Sequence, residues 1–123
     1  MLKKIISIAI LTGSAFTTAV APAKAASLGC SYASHYGIGD GYHGSRTASG
    51  EVLNAYGLTA AHRSLPFGTK LRITDQSTGR SAIIRINDRG PFAPDRILDL
   101  TYGAFASIAA PSRGVTKICI AKI

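Results

Sequence analysis

The stretch Ser81-Ala82-Ile83-Ile84-Arg85-Ile86-Asn87-Asp88-Arg89-Gly90-Pro91-Phe92 decides how this chain is read. Ser81 to Ile86 is a β-type run, rich in branched apolar residues. The period-2 alternation of a strand puts Ala82, Ile84, Ile86 and Asp88 on one face. Three apolar residues thus lead to a carboxylate on the side that faces a core. Gly90-Pro91 turns the chain away. A carboxyl at the end of a buried strand face is partly withdrawn from water, a setting suited to proton transfer. The simpler reading has Asp88 capping the turn or pairing with Arg89, so the remaining chain must decide between them.

Outward from that stretch, the elements are short. Ser31 to Tyr36 reads as a first strand, Leu58 to Ala61 as a short extended piece, and Lys70 to Thr74 as a half-buried strand with Leu71 and Ile73 inward. Asp75 to Gly79 is a hairpin loop into the Ser81–Ile86 strand. Ile97 to Leu100 is another strand, and Thr116 to Ile123 closes the chain as the last. Thr101 is placed to cap one helix, Tyr102 to Ala109, which Pro111 stops. Several strands and one helix in under 100 residues suggest a small closed barrel. A faint echo between Gly68–Ile73 and Gly114–Ile120 suits a barrel of two similar halves.

The first 25 residues read as a secretory signal peptide. Lys3 and Lys4 precede an apolar run from Ile5 to Val20, and Ala23-Lys24-Ala25 is a small-x-small cleavage site. The run is short for a membrane span. The expected mature domain is 26–123. The whole chain carries 14 basic and 6 acidic residues, a net charge of +8. Without the three lysines of the leader, 11 basic residues face the same 6 acidic ones. Such a charge favours anionic partners. Export argues against nucleic acid and for an envelope polymer.

Cys30 and Cys119 are the two cysteines. In an oxidising compartment they are expected to pair, setting the first and last strands side by side. The rival reading is a lipid-attachment cysteine at Cys30. Leu28 stands one position too late for that, and the site lies well beyond the apolar run. The chain holds no G-x-S-x-G, no C-x-x-C, no H-E-x-x-H and no phosphate loop, so no cofactor or metal is expected. Gly37 to Gly41 superficially offers G-x-G but lacks the strand-to-helix context.

Four segments complete the reading: Ala33-Ser34-His35-Tyr36-Gly37, Arg46-Thr47-Ala48-Ser49-Gly50-Glu51, Leu58-Thr59-Ala60-Ala61-His62-Arg63-Ser64-Leu65-Pro66-Phe67-Gly68-Thr69, and Asn87-Asp88-Arg89-Gly90-Pro91-Phe92. In wording and order they resemble the RlpA (rare lipoprotein A)-like lytic transglycosylases, from Ala33 to Ile123. The resemblance implies a mainly β fold, the six-stranded double-psi β-barrel of barwin and expansins, with one short helix. It implies action on peptidoglycan glycan strands that lack stem peptides, with 1,6-anhydro-muramic acid formed at the cut; with the leader, the expectation is an exported, periplasmic or secreted monomer.

By the same resemblance Glu51, His62 and Asp88 are the polar groove residues. Asp88 is the candidate general acid/base, His62 holds the proton network, and Glu51 stabilises positive charge at the anomeric carbon. Against these stand a solvated loop carboxylate for Glu51 and a loop-orienting role for His62. Tyr36, Tyr42, Thr47 and Arg89 are the candidate substrate contacts, with anchoring of the turn as the alternative for Arg89. His35 stands where the family has Trp, which leaves Tyr36 and Tyr42 as the stacking surfaces. The muramic C6 hydroxyl serves as an intramolecular nucleophile, so one carboxyl can act first as acid and then as base. The alternative is a non-catalytic glycan-binding or wall-loosening module of the expansin kind, since fold does not fix function.

Overall fold

The computed structural model describes residues 26–123; the expected signal peptide lies outside the described residues. Six strands close into a barrel. They are β1 (Ala26–Tyr36), β2 (Thr59–Ala61), β3 (Lys70–Asp75), β4 (Ser81–Asp88), β5 (Arg96–Thr101) and β6 (Val115–Lys122). The helix α1 (Tyr102–Ala106) and a 3-10 turn, Pro111–Arg113, lie between β5 and β6. Around the barrel the order is β1-β5-β2-β4-β3-β6. The pairs β1/β5 and β2/β4 are parallel; the other four are antiparallel. Closure leaves no free sheet edge.

The interior is aliphatic. Ala33, Ala60, Leu71, Ile73, Ile84, Ile86, Leu98, Leu100, Ile118 and Ile120 are buried in one cluster, and Ala104, Phe105 and Ile108 join it from the helical segment. Burial of this kind stabilises by roughly 1.5–3 kcal/mol per large side chain. On β4, Ile84 and Ile86 are buried and Ile83 is exposed, as alternation requires. The alternation breaks at Asn87, which is also buried. The register explains this: Ala60 pairs with Ile86 and Ala61 with Asp88, so Asn87 is the extra residue of a bulge.

Element boundaries shift at β1 and at the helix. β1 begins at Ala26 rather than Ser31, because β6 supplies pairing to a segment with little β propensity of its own. The Cys30–Cys119 disulfide forms across that pair, with the two residues directly opposite. The helix is shorter than expected. Thr101 caps it, accepting from the Ala104 N–H, but it ends at Ala106. Ser107 Oγ donates to the Ala104 carbonyl at 2.6 Å, a local bond that competes with continuation.

Residues 37–58 cross from β1 to β2 with a single bridge, Arg46 to Val52, as regular structure. Backbone bonds such as Gly44 N–H to Leu53 O and Thr47 N–H to Glu51 O fold this segment on itself. It docks on α1 at Gly103, where an added Cβ would lie 2.5 Å from the Tyr56 carbonyl oxygen. Only glycine admits that approach.

Candidate active site

A groove of about 380 Å³ opens where the ends of β1, β4 and β5 meet the 37–58 segment. Asp88, Tyr36, Tyr42 and Arg89 line it, as do Ser34, Arg46, Phe92, Arg96 and Asp99. Asp88 is half-buried, and three donors converge on it. Tyr36 Oη donates to Oδ2 at 2.8 Å. The Ala48 and Arg89 N–H groups both donate to Oδ1 at 2.9 Å. Burial, then the Asp88 hydrogen bond and charge, push the Tyr36 phenol well above its ordinary range. It therefore stays a donor at any working pH. Tyr42 meets Tyr36 edge to face, with ring centroids 5.8 Å apart.

The four sequence segments are neighbours here, but not all of their polar side chains face the groove. In Arg46–Glu51 it is the backbone of Ala48 that reaches Asp88. Glu51 lines a separate depression with Arg85 and Asn87. Its carboxylate takes both Arg85 nitrogens, at 3.0 and 2.9 Å, and Asn87 Nδ2 at 2.7 Å. These hydrogen bonds, Arg85 first, hold its carboxyl below the usual range. Thr47 bonds Ser49 Oγ at 2.8 Å and is buried. Glu51, Thr47 and His62 are not among the residues lining the Asp88 groove.

His62 Nδ1 accepts the N–H groups of Ser64 and Leu65, both at 3.0 Å. Burial, with the charges of Arg63 and Arg89, lowers its pKa and keeps the ring neutral, as an acceptor must be. Its backbone N–H donates to the Asp88 carbonyl at 3.2 Å. Arg89 reaches back to the same loop, with Nη1 2.8 Å from the Leu65 carbonyl and the guanidinium 4.0 Å over the Phe67 ring. Arg63 clamps the following turn through the carbonyls of Pro91, Ala93 and Arg96, at 2.8, 2.6 and 2.7 Å. His35 is turned to the helix, its Nε2 2.9 Å from Pro111 O and its ring edge-on to Phe105.

Three groove residues escaped the sequence reading. Asp99 alternates with the buried Leu98 and Leu100 on β5, which predicts a solvated position. The parallel pairing of β1 with β5 sets Ser34 opposite it, and Ser34 Oγ donates to Oδ1 at 3.1 Å. Burial pushes the Asp99 carboxyl above its usual range; the Ser34 bond and the charges of His35 and Arg96 oppose this. A carboxylate between two leucines, with no base two residues away on its own strand, was the available signal. Phe92 is 82% exposed at the groove rim. Arg96 opens β5. Among the described residues no group of three His, Cys, Asp or Glu side chains could hold a metal ion.

A family model described as lytic transglycolase matches residues 29–120. A probable endolytic peptidoglycan transglycosylase RlpA from Nostoc sp. (strain PCC 7120) is 51% identical over 88 residues, 72% of this chain and 24% of that protein. The endolytic peptidoglycan transglycosylase RlpA of Pseudomonas aeruginosa (strain UCBPP-PA14) is 41% identical over 80 residues, 65% of this chain and 24% of that protein. The chain therefore spans about a quarter of the length of these curated relatives. Among solved structures, apo Clavibacter michiganensis expansin superposes with a TM-score of 0.62 at 20% identity, over 77% of this chain and 50% of that one. The Streptomyces papain inhibitor gives 0.60 at 20% identity, over 76% of this chain and 91% of that one. At such identity the likeness is one of fold, the six-stranded double-psi β-barrel that the sequence leads one to expect.

Proposed function

We propose that this chain, which belongs to the lytic transglycolase family, is an exported enzyme that cleaves peptidoglycan glycan strands between N-acetylmuramic acid and N-acetylglucosamine. The observation that carries this reading is the Asp88 carboxyl, oriented by Tyr36, Ala48 and Arg89 in an open groove that also holds Asp99. Asp88 in its protonated form gives its proton to the glycosidic oxygen as the C1–O bond breaks. The resulting carboxylate accepts the proton of the muramic C6 hydroxyl as O6 bonds to C1. The product is a 1,6-anhydro ring, and no water is consumed.

The remaining residues divide into groove and support. Asp99 is a second carboxyl beside the developing positive charge. Glu51 and His62 are positioning residues: Glu51 steadies Asn87, one residue before Asp88, and His62 shapes the loop that Arg89 grips. Tyr42 and Phe92 offer aromatic faces at the rim. The substrate in this reading is a glycan that lacks stem peptides, as the family resemblance implies.

The test is to incubate the purified protein with peptide-free strands beside an Asp88→Asn variant and read the products by mass spectrometry. Ends one water lighter than hydrolysed ends, missing with the variant, are expected. Hydrolysed ends would instead mean that two carboxyls activate water, a chemistry for which Asp99 is the supporting observation. Binding without cleavage would mean a wall-binding module.

A further inference from the structure

Three arginines line the groove: Arg46, Arg89 and Arg96. Two are engaged by the protein itself. Arg46 Nη1 donates to the Gly50 carbonyl at 2.7 Å. Arg89 is held by the carbonyls of His62 and Leu65 and by the Phe67 ring. Arg96 differs. Its Nε is buried without a hydrogen-bond partner. The two ion pairs among the described residues are Arg85–Glu51 and Arg113–Asp75, and neither involves it. Its backbone is nonetheless fixed, because Arg63 holds its carbonyl and its own N–H donates to Ala93 O at 3.2 Å.

A buried donor without a partner has lost water and gained nothing, which is the position of Arg96 Nε, and among the described residues no protein carboxylate takes the rest of its fork. The planar fork of an arginine matches a carboxylate with two parallel bonds. Arg96, Asp99 and Asp88 line one groove, and the Arg96 charge acts on the Asp99 carboxyl. An anion taken by Arg96 would therefore lie in the same groove as Asp88.

We infer that Arg96 is a specificity residue that binds the free lactyl carboxylate of a muramic acid ring in the groove. This rests on the proposed glycan substrate. It gives a physical reason for choosing strands without stem peptides. In peptide-bearing strands the lactyl carboxylate is an amide, which offers no charge to the guanidinium and adds bulk at the same spot.

The experiment is a binding cycle that does not depend on turnover. The ligand is a peptide-free tetrasaccharide of alternating N-acetylglucosamine and N-acetylmuramic acid, compared with its lactyl methyl ester and with the form carrying a stem peptide. Calorimetry is performed in the Asp88→Asn protein, with and without Arg96→Gln. The acid is expected to bind about tenfold more tightly than the ester when Arg96 is present, and within about twofold of it when Arg96→Gln is added, as for a charge-assisted hydrogen-bond pair. Arg96→Lys, which keeps the charge and loses the fork, is expected to fall between; it also serves if Arg96→Gln fails to fold, judged by circular dichroism.

An acid-over-ester preference that survives both Arg96 substitutions, or that is missing from the start, overturns the assignment. So does a stem-peptide form that binds as tightly as the acid and depends on Arg96, which would mean that a peptide carboxylate is read instead. Anhydro products from the unsubstituted protein are scored separately. Their absence with a positive cycle sinks the lyase reading and leaves Arg96 standing; their presence with a negative cycle does the reverse.

Discussion

Tyr36 at the end of β1 and Asp88 at the end of β4 are 52 positions apart, and the Tyr36 hydroxyl donates to Asp88 Oδ2 at 2.8 Å. The two strands are not neighbours in the barrel. Closure alone brings their ends to one groove. The bond fixes the rotation of a carboxyl whose other oxygen is held by two backbone N–H groups. Tyr36→Phe removes this constraint without opening a large cavity. We expect kcat to fall about tenfold or more, the range for a lost hydrogen bond to a charged group, with KM nearly unchanged. Initial rates on peptide-free strands check this, and an unchanged kcat would show that Asp88 needs no such restraint.

Asp99 should trade stability for function. Its carboxyl is raised in the folded state by burial. The folded protein thus binds that proton more tightly than the unfolded chain does. The stability associated with it is complete below the ordinary carboxylate range and is lost as pH rises through that range to the raised folded value. Asp99→Asn should therefore raise the thermal midpoint at neutral pH while lowering turnover. Calorimetry and rates on one preparation decide the matter.

Asp75 has the opposite sign. Burial pushes its carboxyl up, but bonds from Thr116, from the Ser77 hydroxyl and from the Thr78 N–H outweigh that and bring it down to about 2. The stability it contributes is present above the ordinary carboxylate pKa and is lost as pH falls from about 4 toward 2. The amount is about 2 kcal/mol. Denaturant midpoints measured across that window should show a smaller acid loss in Asp75→Asn than in the parent.

Phe92 exposes 82% of its surface, more than any other large apolar residue described. The Arg63 clamp holds the turn that carries it. Phe92→Ala should raise KM several-fold through lost ring stacking and leave kcat largely intact. The chain has no tryptophan. Phe92→Trp therefore adds a single tryptophan at the rim, and its emission, excited selectively near the red edge, should change on titration with glycan.

Reducing the Cys30–Cys119 bond, which closes a loop of 89 positions, should lower stability by roughly 4–5 kcal/mol on the chain-entropy model. Thermal melts with and without reductant test this. An unchanged melt would mean that the β1–β6 ladder alone keeps the first and last strands together.

The strands were legible because alternation is local. Leu71, Ile73, Ile84, Ile86, Leu98 and Leu100 announce their inward faces within a few residues of themselves. The Thr101 cap, the Asp75 hairpin and the cysteine pair carry similarly direct signals. Asp88 could be singled out from its own strand and turn. Its partners could not, because Ala48 reaches it through a backbone N–H, which no residue type advertises. Glu51 and Asp99 show the same limit from two sides. Both are carboxylates in short polar-apolar patterns. Only barrel closure gives Glu51 to Arg85 and Asn87, while the parallel β1/β5 pairing and the depth of burial put Asp99 in the groove beside Asp88. The sequence by itself determined which residues are apolar, where the chain turns, and the family to which it belongs. The tertiary structure decided which charges meet, because electrostatic neighbourhood depends on distance in space, and a closed barrel makes neighbours of residues far apart along the chain.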